Sequence, residues 1–203
     1  CTSLKSVTIP AAVTDIEYNS FGNCSALQTV TFAEGSQLTH IGTYAFQNCI
    51  ALEEITFPDS LRIIDTNCFQ KCTGLKKVTF GKELYGLYTS AFAGCSALAS
   101  IDLPDKLVVI ETTVFSGCNS LKTITIPKSV NKIGSNAFSG CTGLDGIITI
   151  PETVDSLGES VFAGCTGLDG VVVNSPAGIT GGMFSKCSSL TSVTIGSQVK
   201  EIK

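Results

Sequence analysis

No stretch of this 203-residue chain approaches 18 consecutive apolar residues, so no segment reads as a transmembrane helix. Basic runs are missing as well. Thirteen lysines and arginines against 17 aspartates and glutamates leave a formal net charge of −4, spread along the chain, which removes the electrostatic argument for nucleic acid or an anionic membrane. There is a single histidine, His40, with no G-x-S-x-G or other nucleophile motif beside it, and it reads as a solvent-facing turn residue. The aspartates Asp102, Asp145, Asp155 and Asp169 fall at different positions of the pattern described below, so neither a paired carboxylate nor a calcium loop is supported. Gly178 and Gly181-Gly182 lack the lysine and helix that a phosphate loop requires. No C-x-x-C pair occurs; Cys68 and Cys72 are the closest cysteines, and no second pair or histidine completes four metal ligands. The sequence therefore reads as non-enzymatic, without a cofactor and without a metal.

What the chain does contain is a repeat. Cys1, Cys24, Cys49, Cys72, Cys95, Cys118, Cys141, Cys165 and Cys187 recur at spacings of 23, 25, 23, 23, 23, 23, 24 and 22 residues. A phenylalanine stands three residues before every one of them except Cys1, and a leucine three residues after every one. A fixed period of this length is the signature of a solenoid. Nothing interrupts it, so residues 1–203 read as one elongated domain of about eight and a half 23-residue units. A hydrophobic content of 43% with 15% charged residues is enough for a continuous core. The chain opens on Cys1 and stops at Lys203, both in mid-repeat, and is read as a segment excised from a longer protein; the lack of a signal peptide then carries no information.

Within the unit that begins at Cys118, Leu121, Ile124 and Ile126 alternate with Thr123 and Thr125, which predicts a short half-buried strand ended by Pro127. A second apolar pair, Val130 and Ile133, turns the chain back over the core, and Gly134, like Gly42 and Gly158, suits a tight bend. Ser135 to Cys141 places Ala137, Phe138 and Cys141 at spacings that fit one helical or 3₁₀ turn. The second unit carries two extra residues around Ala33–Ser36, the Cys141 unit has one extra in Gly146-Ile147-Ile148, and Asn174 replaces the proline in the Cys165 unit; each is expected to disturb the register locally.

The unit L-x-x-I-x-I-P-x-x-V-x-x-I-G-x-x-A-F-x-x-C resembles the BspA-like leucine-rich repeat of bacterial and protist surface proteins. The resemblance implies an α/β repeat solenoid with a parallel sheet on one face, and short strands, turns and 3₁₀ or helical turns on the other. It also implies an extracellular or cell-surface location and adhesion or protein binding. A host or matrix protein is the expected partner, and the alternative is a structural spacer or stalk with no ligand of its own. Raw sheet edges at the ends of a segment would favour end-to-end self-association.

Nine cysteines in one column point the same way, so they are expected to be buried free thiols; one or two disulfides, or metal, are the alternatives. Asn23-Cys24-Ser25 matches a glycosylation sequon, but its cysteine belongs to the core column. The outward column Thr8, Thr31, Thr56, Thr79, Asp102, Thr125, Thr149, Val172 and Thr194 forms a threonine ladder, and its charged neighbours Glu54 and Lys77 argue against an ice-binding face. Two sets of surface residues are candidate protein contacts. Tyr18, Tyr44, Tyr85 and Tyr88 lie in turn positions of the first four units, and Glu54 and Lys77, with Glu53, Lys76 and Lys122, lie on the strand face.

Overall fold

The computed structural model describes residues 1–203 and contains strands and turns but no helix. Strands are numbered along the chain and occupy two positions in each coil. Those at the first position, two to four residues long, are β1 (Ser6–Ile9), β3 (Thr29–Phe32), β5 (Glu54–Thr56), β7 (Lys77–Thr79), β9 (Ser100–Ile101), β12 (Ile147–Ile150), β14 (Gly170–Val173) and β15 (Ser192–Ile195). Between them lie two-residue strands: β2 (Asp15–Ile16), β4 (His40–Ile41), β6 (Ile63–Ile64), β8 (Gly86–Leu87), β10 (Val109–Ile110), β11 (Lys132–Ile133) and β13 (Ser156–Leu157). All pairings are parallel and join equivalent residues of successive units, such as Ile16 with Ile41 and Ile41 with Ile64.

The strands at the second position form one unbroken seven-stranded sheet. Those at the first do not. They fall into three separate sheets, β1-β3, β5-β7-β9 and β12-β14-β15, so the face expected to be one sheet is opened twice. At the second opening, Leu121, Ile124 and Ile126 are buried as expected, but the segment carrying them forms no strand ladder and bonds to its neighbours only where the Lys122 amide donates to the Ala99 carbonyl and the Lys122 carbonyl accepts from the Asp145 amide, both at 3.1 Å. The following unit has an additional residue there, and Gly146 takes a left-handed φ of 68° that offsets β12 from the ladder.

The core is one cluster of 51 buried hydrophobic residues. Its axis is a file of phenylalanines, Phe21, Phe46, Phe69, Phe92, Phe115, Phe138 and Phe162, with ring centroids 5.1 to 5.8 Å apart and planes within 14° of parallel. Such centroid separations mean offset stacking, which relieves the repulsion of face-on rings. Next to it runs a file of cysteines. Cys49, Cys72, Cys95, Cys118, Cys141, Cys165 and Cys187 each donate a thiol hydrogen bond of 3.0 to 3.3 Å to the carbonyl of a phenylalanine in a preceding coil. The same Phe69 carbonyl accepts the Cys72 amide at 3.1 Å, so both of its lone pairs are used. All ten cysteines are free thiols.

The helical or 3₁₀ turn expected over Ser135–Cys141 is absent, and the hydrogen bonds show why. Ala137, Ser139 and Cys141 donate three residues back, to Gly134, Asn136 and Phe138, whereas Asn136, Phe138 and Gly140 donate to Glu159, Val161 and Ala163 of the next coil. A helix would take every amide for itself; here alternate amides are turned outward to stitch the coils together. The turning is done by two left-handed residues per unit, with φ from +56° to +75°. One column is Asn19, Tyr44, Asn67, Ser90, Thr113, Asn136, Ser160 and Gly182, and the other is Asn23, Asn48, Lys71, Gly94, Gly117, Gly140, Gly164 and Lys186. Left-handed residues cannot propagate a right-handed helix.

The role expected for Gly134 and Gly158 also changes. Neither has a positive φ; a Cβ at Gly134 would lie 2.4 Å from the Thr112 nitrogen, and one at Gly158 2.2 Å from the Ser135 nitrogen. These glycines admit the backbone of the preceding coil rather than bend the chain.

Candidate functional site: a groove where the strand face opens

The first opening of the strand face, between β3 and β5, forms a groove of about 1170 Å³. Its floor is apolar, built from the buried Val30, Ile55 and Phe57 with the half-buried Phe32. Thr29, Thr31, Thr56 and Thr79 rise from the strands, since a period of two sends alternate residues outward. One end is closed by the turn Ala33–Ser36, which contains the two residues by which this unit exceeds its neighbours, and by Pro58–Ser60 of the next coil. Ser60 fixes that end: its hydroxyl lies 2.9 Å from the Ser36 carbonyl oxygen and 2.7 Å from that of Leu38. The expected threonine ladder is hydrogen-bonded at one step only, and the register partners Thr56 and Thr79 share no hydroxyl bond. Thr8 and Thr31 share a 2.9 Å hydroxyl hydrogen bond across β1 and β3, and no such bond crosses from Thr31 to Thr56.

Charge is unevenly spread along the walls. Four carboxylates, Glu34, Glu53, Glu54 and Asp59, face two ammonium groups, Lys76 and Lys77. Glu53 is paired with Lys76 at 2.9 Å and Asp59 with Lys82 at 2.9 Å, while Glu34, Glu54 and Lys77 form no ion pair. The hydrogen bonds from Lys82 hold the Asp59 carboxyl below its ordinary range and raise the Lys82 ammonium in return.

Of the candidate contacts read from the sequence, Glu54 and Lys77 stand side by side in the groove wall, as register partners on β5 and β7. The tyrosines are elsewhere. Tyr18 is exposed and meets the half-buried Tyr44 edge to face at 5.7 Å, and Tyr85 and Tyr88 flank β8 on the opposite sheet. None of the four lines the groove. His40 is not a solvent-facing turn residue. It is half-buried in β4, with Nδ1 3.5 Å from Asp15 and Nε2 3.5 Å from Asp65 of the flanking coils. The groove residues that sequence reasoning passed over are Glu34, Phe32 and Ser60; the two-residue insertion at Ala33–Ser36 was the signal that marked them.

The BspA type Leucine rich repeat region matches residues 1–122 and 87–203, in six copies that together span the whole chain. The chain belongs to the BspA-type leucine-rich repeat family. Among solved structures, it is similar to a leucine-rich repeat protein from Bacteroides ovatus ATCC 8483, at 27% identity and a TM-score of 0.68 over 100% of this chain and 63% of that one. It is also similar to the T. pallidum leucine rich repeat protein, at 28% identity and a TM-score of 0.63, covering 70% of this chain and 68% of that one. A leucine rich cell surface protein from Faecalibacterium prausnitzii A2-165 matches at 23% identity and a TM-score of 0.49, over 95% of this chain and 79% of that one. The chain thus spans somewhat less than two thirds of the Bacteroides protein. None of the curated proteins matches it. No helix in this BspA-type chain is long and apolar enough to cross a membrane.

Proposed function

We propose that this chain is a non-catalytic protein-binding or adhesion module of a cell-surface protein, and that the groove between β3 and β5 is where its partner, a host or matrix protein, docks. The groove is the observation that carries this reading. It is the wider of the two openings in the strand face, and it combines a concave surface with an apolar floor, a polar rim and unpaired charge, the combination that protein interfaces use. The surface assignment rests on family membership. Binding energy would come from a few anchors in the groove, with the rigid stack of coils holding them in place.

The test immobilises the 203-residue chain and presents candidate host and matrix proteins, with Lys77→Glu and Tyr44→Ala/Tyr88→Ala variants in parallel. Saturable binding lost in Lys77→Glu and kept in the tyrosine variant supports the groove. Loss only in the tyrosine variant moves recognition to the turn edge. Absence of any partner from every sample overturns the reading in favour of a spacer.

A further inference from the structure

We propose that His40 is a pH-sensitive clasp on the three amino-terminal coils, drawn tight when its ring carries a proton on both nitrogens, and that it governs the pair of coils between which the groove lies. Two independent features point to it, and neither depends on what the groove binds.

The first is the placement of the ring. β2, β4 and β6 are in parallel register, with Asp15 opposite His40 and with Ile16, Ile41 and Ile64 aligned across the three coils. That register sets Asp15 on one side of the imidazole and Asp65, the residue after β6, on the other, so that Nδ1 and Nε2 each lie 3.5 Å from a carboxylate oxygen. The Asp65 carboxylate is itself held, because its other oxygen accepts the Thr66 amide at 2.6 Å. A neutral imidazole has one N–H and one lone pair, so it serves one carboxylate and turns its lone pair on the other. The imidazolium presents an N–H to each and is attracted by both. All three side chains are partly exposed, so bulk protons reach the ring. Of the other ionisable side chains on these coils' facing segments, Glu17 follows β2, Arg62 precedes β6, and Tyr18 and Tyr44 lie in the adjoining turns; none of them pairs with His40, and Glu17 and Arg62 are opposite in charge.

The second is what the clasp spans. His40 belongs to the coil of β3 and β4, and Asp65 to the coil of β5 and β6, the two coils that the groove separates. No ladder joins β3 to β5, so sheet pairing between these coils is confined to the two residues of β4 and β6, and the His40–Asp65 contact sits at that pairing. The second opening of the strand face is backed in the same way. There Lys132 of β11 reaches Glu111, the residue after β10, at 2.6 Å, and joins the two coils on the sheet opposite the gap. Lys132 occupies the strand position of His40, and Glu111 that of Asp65. Each opening is therefore secured from behind by an ion pair across the coils, and only at the groove is the cation a histidine, the side chain whose ordinary charge change falls between pH 5 and 8.

Hydrogen exchange on the intact chain, read as protection factors at pH 5.5 and pH 8.0, tests this. The reporters are the Gly42 and Asp65 amides, which donate to the Ile16 and Ile41 carbonyls at 2.7 and 2.9 Å, and the internal reference is the equivalent Gly134 amide on Ile110. Relative to Gly134, protection of Gly42 and Asp65 should be about fivefold greater at pH 5.5 than at pH 8.0, because the folded coils gain from the doubly protonated ring and lose that gain as the proton leaves. His40→Gln should bring the ratio at Gly42 to near one. Asp15→Asn/Asp65→Asn, which keeps the histidine and removes both carboxylates, should do the same. His40→Lys, which copies the second opening, should also be flat, with protection held at the pH 5.5 level. The Cys1 α-amino group, 3.4 Å from Cys24 Sγ, is common to every variant and cancels in the comparison. Circular dichroism confirms that each variant is folded. A wild-type ratio within about 1.5-fold of one, greater protection at pH 8.0, or a pH dependence that survives in Asp15→Asn/Asp65→Asn overturns the proposal.

Discussion

Raising the pH should unfold this protein through its cysteine file, and the effect can be worked out from burial alone. Cys49, Cys68, Cys72, Cys95, Cys118, Cys141 and Cys165 are fully buried. Desolvation pushes their thiols up from an ordinary value of 9.0, to about 12 for Cys49, Cys118 and Cys165 and upward for the other four. The folded state therefore keeps these protons through a range in which the unfolded chain releases them. Stability is fully present below pH 9 and is lost as pH rises from 9 toward 12, since ionisation then favours only the unfolded state. Each thiol contributes a loss of roughly 1 kcal/mol per pH unit above 9, so seven together lower stability by on the order of 10 kcal/mol near pH 10, comparable to the whole stability of a typical domain. Urea unfolding followed by far-ultraviolet circular dichroism, in reductant, at pH 7, 8, 9 and 10 measures this directly. Cys95→Ala makes it diagnostic. The variant loses the thiol hydrogen bond to Phe69 and should be about 1 kcal/mol less stable at pH 7, yet this gap should close as pH rises through 9 and 10, because one ionising group has been removed. A gap that stays constant with pH, or a wild-type stability that is flat to pH 11, would refute the reasoning.

The phenylalanine file predicts a position effect: Phe92→Ala, which removes two stacked neighbours and an edge contact with Phe80, should cost about 4 to 5 kcal/mol, against about 2 for the half-buried Phe21 with one stacked neighbour, as read by urea midpoints. Thr113 is β-branched and held at φ 56°, so Thr113→Asn should stabilise by about 0.5 to 1 kcal/mol in thermal melts even though it gives up the 2.6 Å hydroxyl contact with Ser90; a destabilised variant would show that this contact outweighs the backbone strain. Gly158→Ala should cost about 1 to 3 kcal/mol and raise hydrogen exchange in β11 and β13, because its new methyl group meets the backbone of the preceding coil. Ser60→Ala should leave global stability within about 1 kcal/mol while increasing exchange at Ser36 and Gln37, the groove end it pins.

The period of the cysteines, phenylalanines and leucines determined by itself that the chain is a solenoid, which columns are core, and that the thiols are inward, because identical residues one unit apart can be buried together only if successive coils superimpose. The second apolar pair, Val130 and Ile133 in the Cys118 unit, also showed where the chain returns over the core. Tertiary structure decided the rest. The Ser135–Cys141 spacing is the same for a helical turn and for a run of turns, and only the positions of inter-coil hydrogen bonds distinguish them; the recurring Asn and Gly at Asn136 and Gly140 were the local trace of that choice. His40 could be placed between Asp15 and Asp65 only once β2, β4 and β6 were in register. The groove depends most on the fold. Glu54 and Lys77 were legible as surface charges, and the insertion at Ala33–Ser36 as a local irregularity, but pairing between β3 and β5 is a property of two coils at once. Whether a ladder continues or opens is set by how one coil sits on the next, and no single unit of sequence contains that information.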